Sequence, residues 1–206
     1  IVGVAVFSIM PLLFWIAAAI IGLVVLRKGV KEGRPVLAWG CLPSMVLWAF
    51  QGDATALMVL IDVTLLAWLL RVTKSWNWVL MVGSVIAVVS TFLQPLIMLN
   101  MLNIVTSLIQ RVLISKGVTV PEKGIIFHQA VVALSIIQAM IAVTSLFLAR
   151  KWQAGLYNPG GLRSEFYQLR SPIAFSLVLG AMVLLGENLG GPYLVLSQSA
   201  LPALVL

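Results

Sequence analysis

The scarcity of charged residues constrains this sequence more than any other feature. Only 9% of the residues are Asp, Glu, Lys or Arg, whereas 62% are hydrophobic, and the mean hydropathy is +1.12. A soluble domain of ordinary composition has about 25% charged residues, which it needs to cover its surface. We therefore expect the outer surface to face lipid and the chain to be an integral membrane protein.

The length of the chain limits the number of membrane passes. Each helical pass requires about 20 apolar residues, so 206 residues allow six or seven. Lipid offers no partner to backbone N–H and C=O groups, so the passes must be helices or the strands of a closed barrel. The unbroken apolar run at 125–149 is unlike the alternating barrel segments of roughly 10 residues. The sequence predicts an all-α polytopic bundle of six to seven transmembrane helices, forming a single domain over residues 1–206.

Apolar runs separated by turn-forming or basic residues mark the expected passes. These runs occupy residues 1–26, 35–50, 54–70, 79–99, 125–149, 172–189 and 193–206. Pro11 either kinks the first pass or begins a second helix, and Pro43 is expected to break the second pass. Residues 100–116 have polar side chains at helical spacing, which indicates an interfacial amphipathic helix or a polar extension of the fourth pass. Because the chain starts at Ile1 and stops within an apolar run, we expect truncation at both ends.

The basic residues predict the orientation of the bundle. Segments 27–34, 71–74 and 150–170 alternate to one side and contain ten of the thirteen Lys and Arg residues. The positive-inside rule places this side in the cytoplasm. The net charge of +7 thus indicates anchoring beside a membrane, and no nucleic acid partner is expected. Trp76 and Trp78, which follow the third pass, are expected to be interfacial anchors.

No familiar catalytic motif occurs in the sequence. The patterns G-x-x-x-x-G-K-[ST], G-x-S-x-G and H-E-x-x-H are all absent. Cys41 is the single cysteine and His128 the single histidine, so neither an internal disulfide nor a metal site is expected. We expect a protein that is not an enzyme, has no cofactor and has no ATPase of its own.

Two acidic residues lie within expected passes. An ionisable group near the middle of a membrane helix costs at least about 2.5 kcal/mol, so each such residue needs an explanation. Asp62 lies at the centre of the third pass, and Glu187 lies near the outer end of the sixth. They either line a polar cavity for a cation, a proton or a polar solute, or they have only structural roles. In the structural interpretation Asp62 is neutral or hydrogen-bonds to a neighbouring helix, and Glu187 reaches the headgroups. In both cases we expect Asp62 to face other helices.

Two passes have a stripe of small and polar residues at helical spacing. The fifth pass has His128, Ser135, Gln138, Ala142 and Ser145 on one face, and the fourth has Gly83, Ala87, Ser90 and Gln94. Such stripes either join helices closely or line a pocket for a small-molecule solute, and His128 is a candidate proton-responsive group. The candidate ligand-binding residues are Asp62, Ser90, Gln94, His128, Ser135, Gln138 and Glu187.

Two further features suggest contact with a partner protein. Ala18 and Gly22 form a small-xxx-small pattern in the first pass. The segment at 162–172 reads LRSEFYQLRSP, which indicates either an anchored entry to a transmembrane helix or a docking site for a cytoplasmic partner. The candidate partner-docking residues are Ala18, Gly22, Arg163, Glu165 and Arg170.

Three short motifs carry a resemblance to a known family. Together with PLLFW at 11–15 and GGPYL at 190–194, the segment at 162–172 resembles the YybS-like family of bacterial multi-pass membrane proteins. That family is distantly similar to the substrate-binding (S) components of energy-coupling-factor vitamin transporters. Those components are six-helix bundles that capture a small molecule near the outer face and dock on a membrane coupling partner. The resemblance implies an S-component-like fold in the bacterial inner membrane, but no particular ligand.

These observations favour a small-solute-binding transport component of the bacterial inner membrane. The expected cavity lies between the fourth, fifth and sixth passes, with Asp62 closing it from the third. The alternative is a non-catalytic membrane scaffold or envelope-assembly partner, whose polar stripes only join helices. A membrane enzyme that uses Asp62 or Glu187 as acid or base is disfavoured because the chain has so few ionisable groups.

Overall fold

The computed structural model describes residues 13–117 and 120–157 of the chain. These residues form helices and no strands, which agrees with the all-α prediction. The six helices are α1 (Phe14–Lys28), α2 (Val30–Gln51), α3 (Thr55–Thr73), α4 (Trp76–Ile97), α5 (Leu99–Ser115) and α6 (Lys123–Tyr157). The passes expected at 172–189 and 193–206 lie outside the described residues, as do Arg163, Glu165, Arg170 and Glu187.

Three of the described helices are long and apolar enough to cross a membrane, namely α3, α4 and α6. Large apolar side chains remain exposed on them, among them Leu65, Phe92 and Ile137, at 48%, 48% and 50% of their surface. Removing apolar surface from water is favourable by about 25 cal/mol per Å², so such side chains are normally buried in a protein that is surrounded by water. An outer surface of this kind suits contact with lipid.

Helices α1, α3, α4 and α6 enclose the main apolar core. At its centre α1 approaches α3 and α6 closely, because a Cβ atom on Gly22 would lie 3.1 Å from Val63 Cγ1 and 3.4 Å from Ala149 Cβ. Ala18 is fully buried in the same cluster. The small-residue face predicted for partner docking is therefore occupied within the chain, where it lets three helices pack closely.

The directions of the helices follow from contacts at their ends. Arg71, near the end of α3, donates hydrogen bonds to the carbonyl groups of Val25 and Leu26, near the end of α1, so these two helices are parallel. Trp76 at the start of α4 packs on Phe147 late in α6, with ring centroids 6.4 Å apart, whereas the end of α4 meets the middle of α6. Helix α4 is therefore antiparallel to α6.

Helix α2 differs from the second pass expected from the sequence. It is continuous over 22 residues with Pro35 and Pro43 inside it, so Pro43 does not break it. Beside that proline, the Ser44 hydroxyl donates to Gly40 O at 3.1 Å. The basic segment at 27–34 is also mostly helical. Only Gly29 interrupts it, with φ +93°, a conformation that favours glycine.

The aromatic pair after α3 also departs from expectation. Trp76 is only 5% exposed and packs against Phe147 in the core, so it is not a surface anchor. Trp78 is 54% exposed and retains a side chain suited to an interface. Two residues of separation on a helix turn the side chains about 200° apart, which places the two rings on opposite faces.

Helix α5 is a separate element and not an extension of α4. Helix α4 ends two residues after Pro95, and Met98 leaves helical geometry with φ −126° and ψ +29°. The indole N–H of Trp48 satisfies the carbonyl of Ile97 at 3.0 Å. Helix α5 then buries only Leu102 and Thr106, which agrees with the amphipathic pattern predicted for residues 100–116.

Candidate functional site

A buried polar network joins α3, α4 and α6. The network consists of Asp62, Ser90, Gln94 and Gln138, all of which are at most 7% exposed. Gln138 Nε2 donates to Asp62 Oδ2 at 2.7 Å and to Ser90 Oγ at 3.2 Å. Gln94 Nε2 donates to Gln138 Oε1 at 3.0 Å. The amide of Gln138 is thus the hub, with both of its N–H groups and its oxygen engaged.

Sequence spacing explains why these four residues meet. Ser90 and Gln94 are four residues apart and therefore share one face of α4. Asp62 lies on the face of α3 that also carries the buried Val59 and Leu66. The expectation that Asp62 faces other helices is confirmed, because it is 7% exposed and bonded to α6.

Four polar side-chain atoms on α4 and α6 are buried without a hydrogen-bond partner in the described chain. These atoms are Gln94 Oε1, His128 Nε2, Ser135 Oγ and Ser145 Oγ. Leaving a buried donor or acceptor unsatisfied costs about 1–3 kcal/mol, so such groups commonly mark a place for water or a ligand. Ser135 lies one turn before Gln138 on α6, and Gln94 one turn after Ser90 on the antiparallel α4. In this antiparallel pair, Ser135 is therefore displaced from Gln138 in the same direction along the bundle as Gln94 is from Ser90.

The network has a definite chemical preference. Its unpaired oxygen on Gln94 can only accept hydrogen bonds, the Ser135 hydroxyl can accept or donate, and Asp62 supplies a carboxyl group. Oxygen atoms in this arrangement suit a cation, or a solute that carries N–H or O–H donors. They do not suit an anion.

The sequence-predicted ligand-binding residues fall into three groups in the structure. Asp62, Ser90, Gln94 and Gln138 are brought together in the network, and Ser135 is fully buried beside it. His128 lies near the start of α6, about three turns before Gln138, and forms no hydrogen bond with the network. Glu187 lies outside the described residues, as does the sixth pass that was expected to complete the cavity.

Two cavities lie near the ends of the described bundle, and no residue of the network lines either of them. One, of about 590 Å³, lies between the end of α2 and the junction of α4 with α5. The other has a volume of about 390 Å³ and lies at the opposite end. We call this second cavity the basic cavity. It is lined by Leu26, Arg27, Leu70, Arg71, Lys74, Arg150 and Gln153.

In the sequence, the charged residues of the basic cavity indicate only the orientation of the bundle. Arg27, Arg71 and Arg150 each lie where an apolar run ends, near residues 26, 70 and 149. Three runs that end at the same side of a membrane can bring such residues together, which is the signal that the sequence contained. Whether they meet around one cavity depends on helix packing.

Comparisons of the chain with known protein families, with curated proteins and with solved structures found no match.

Proposed function

We propose that this chain is a multi-pass protein of the bacterial inner membrane that binds a small polar solute as part of a transport system. The length and composition of α3, α4 and α6 support the membrane placement, and the resemblance to the YybS-like family supports the bacterial inner membrane and the class of function. Without a nucleotide-binding motif of its own, the protein would rely on an ion gradient or on a membrane coupling partner for energy.

The binding site proposed is the polar network, and the observation that carries it is the unpaired Gln94 oxygen in the same hydrogen-bonded network as the buried Asp62 carboxyl group. Ionisable groups within membrane helices are costly, and where they persist they usually mark a solute or ion pathway. The remaining acceptor capacity lies on Gln94 and Ser135, so the expected solute carries hydrogen-bond donors or a positive charge.

A scaffold or envelope-assembly protein is the second candidate, and one observation favours it. The Gln138 amide uses both N–H groups and its oxygen on neighbouring helices. Interhelical hydrogen bonds of this kind hold membrane bundles together without any ligand. In that case the network has only a structural role.

The first experiment tests solute binding through Asp62. The purified protein in detergent is melted with and without sodium chloride, choline chloride, ammonium chloride and a panel of cationic and neutral polar metabolites. A solute that binds the folded state raises the melting temperature with concentration. We expect such a rise for the parent and its loss in Asp62→Asn. Asp53→Asn is the matched control, because Asp53 lies in the turn before α3 and bonds only locally to the backbone N–H of Thr55.

A second pair of variants separates the two candidates. Ser135 is fully buried and its hydroxyl has no partner in the described chain. Ser135→Ala should leave the unliganded melting temperature nearly unchanged while weakening the solute-dependent rise. For a scaffold, Ser135→Leu should overpack the helix contact and cost about 1–3 kcal/mol, whereas for a pocket it should leave the unliganded melting temperature almost unchanged and abolish the solute-dependent rise. If no member of the panel stabilises the parent, and Ser135→Ala has no effect under any condition, the scaffold is favoured and the transport proposal fails.

A further inference from the structure

The basic cavity brings four cationic side chains to one end of the bundle. Arg27 and Arg71 lie in the last turns of α1 and α3, Lys74 directly follows α3, and Arg150 lies on α6. No carboxylate belongs to the described lining of the cavity. Its volume of about 390 Å³ lies within the range of about 300–1,000 Å³ that is typical of small-molecule sites.

Helix ends account for only part of this positive charge. The carbonyl groups at the ends of α1 and α3 contribute roughly half a negative charge each, about one charge together. Arg71 compensates the end of α1 directly, because its Nη1 donates hydrogen bonds to Val25 O at 3.1 Å and to Leu26 O at 3.2 Å. Arg71 and Lys74 alone carry two formal positive charges, which exceeds what the two helix ends require.

Arg71 is held in a geometry that leaves further donors for a ligand. The two bonds from Nη1 fix the plane of the guanidinium, and Gly29 permits the close approach, because a Cβ there would lie 3.3 Å from Arg71 Cζ. The Nε and Nη2 groups of Arg71 donate to no protein group in the described chain. A fixed guanidinium edge with free donors matches two oxygen atoms of a phosphate group.

Lys74 provides an independent observation. It caps the C-terminal end of α3 with φ +52°, and no other described residue except glycine has a positive φ. Glycine or asparagine ordinarily takes this position, because a side chain disfavours the left-handed conformation. Lys74 lines the cavity despite this unfavourable backbone conformation, which is the kind of local strain found at functional sites.

We propose that the basic cavity binds a phosphate group, and that its source is the headgroup of an anionic membrane lipid. The proposal rests on the membrane placement given above but not on the solute site. Basic pockets between transmembrane helices on the cytoplasmic side are suited to such headgroups. The polar network is not suited to an anion, because it contains the Asp62 carboxyl group and its free Gln94 oxygen can only accept hydrogen bonds. Trp152 lies in the chain between Arg150 and Gln153, which line the cavity, and it is exposed. Tryptophan favours the headgroup level of a membrane.

The test measures lipid binding to the full chain purified in detergent. Phosphatidylglycerol, phosphatidylcholine and inorganic phosphate are added separately, and dissociation constants are obtained from thermal melting and native mass spectrometry. We expect phosphatidylglycerol to stabilise the protein and phosphatidylcholine to do so far less. The membrane placement is tested separately by asking whether the chain is released from cell membranes only when detergent is added. A failure of lipid binding therefore does not decide the proposed function, which has its own experiments.

The variants remove charge from the cavity without disturbing the helices. Lys74→Asn introduces a residue that accepts the left-handed backbone, and Arg150→Gln keeps a polar chain. Each should weaken phosphatidylglycerol binding about fivefold, and the double variant about twenty-five-fold, as expected for charges near an anionic headgroup. Lys151→Gln is the matched control, because Lys151 is exposed and does not line the cavity. It should change binding less than twofold.

The outcomes distinguish the sources of the phosphate group and can refute the proposal. If inorganic phosphate stabilises the protein as strongly as phosphatidylglycerol and competes with it, the phosphate site is supported and assigned to a soluble ligand. If Lys151→Gln weakens lipid binding as much as Arg150→Gln, the attraction is diffuse and the cavity is not a site. Equal binding of both lipids by the parent would also overturn the proposal. Unliganded melting curves establish that each variant is folded.

Discussion

Replacing Gln138 by leucine tests the polar network at its hub. The two side chains have similar size, but leucine can neither donate to Asp62 and Ser90 nor accept from Gln94. The variant therefore removes three hydrogen bonds of 2.7, 3.2 and 3.0 Å while largely retaining the packing between α4 and α6. The Asp62 carboxyl group then remains buried without the donor that it has in the parent.

The size of the effect follows from the type of each bond. A hydrogen bond to a charged group contributes about 1.5–3 kcal/mol, which applies to the short bond with Asp62. A neutral interhelical bond in a membrane protein contributes about 0.6 kcal/mol, which applies to the bonds with Ser90 and Gln94. We expect Gln138→Leu to lower the free energy of unfolding by about 3 kcal/mol.

A double-mutant cycle isolates the bond between Asp62 and Gln138. The single variants Asp62→Leu and Gln138→Leu are compared with the double variant in reversible unfolding, by titrating sodium dodecyl sulfate into mixed micelles and following circular dichroism. We expect a coupling energy of about 2 kcal/mol. Asp62→Leu combined with Ser145→Ala is the control pair. Ser145 lies about 10 Å along α6 from Gln138, so these effects should add within about 0.5 kcal/mol.

A coupling energy below about 0.5 kcal/mol would refute this reasoning, because distant and independent pairs already deviate from additivity by that amount. A loss for Gln138→Leu alone, without coupling to Asp62, would mean that the effect comes from packing. The hydrogen bonds of the network would then neither preorganise a binding site nor stabilise the packing of the helices.

Two further predictions concern orientation and packing. In intact cells expressing a protein with Cys41 replaced by serine, an impermeant maleimide should label Gln51→Cys and not Lys31→Cys, and the reverse pattern would contradict the positive-inside orientation. Gly22→Leu should lower the free energy of unfolding by about 2 kcal/mol through overpacking, since a Cβ there would already lie 3.1 Å from a neighbouring side chain. Gly155→Leu, where a Cβ would meet nothing within 4 Å, should cost far less, and equal losses would show that Gly22 is not a close-packed contact.

The sequence alone predicted the features that depend on composition and on local periodicity. The low charge and long apolar runs indicate a helical protein with lipid-facing surfaces, and three described helices have the required length and composition. The spacing of Ser90, Gln94 and Gln138 placed them on inward faces of two helices. The cost of an ionisable group in an apolar run predicted that Asp62 faces other helices. Each of these inferences requires only the helical repeat and a transfer free energy.

Other features depend on contacts between residues far apart in the chain, which the helical repeat does not encode. Periodicity shows which face of a helix is polar, but it does not show which helix meets that face or at what height. Only the tertiary structure made Gln138 the hub of the network and placed Gly22 against α3 and α6. It also buried Trp76 beside Phe147. The physical reason is that close packing is decided by the fit of whole helix surfaces, and a residue's neighbours along the chain carry little information about that fit.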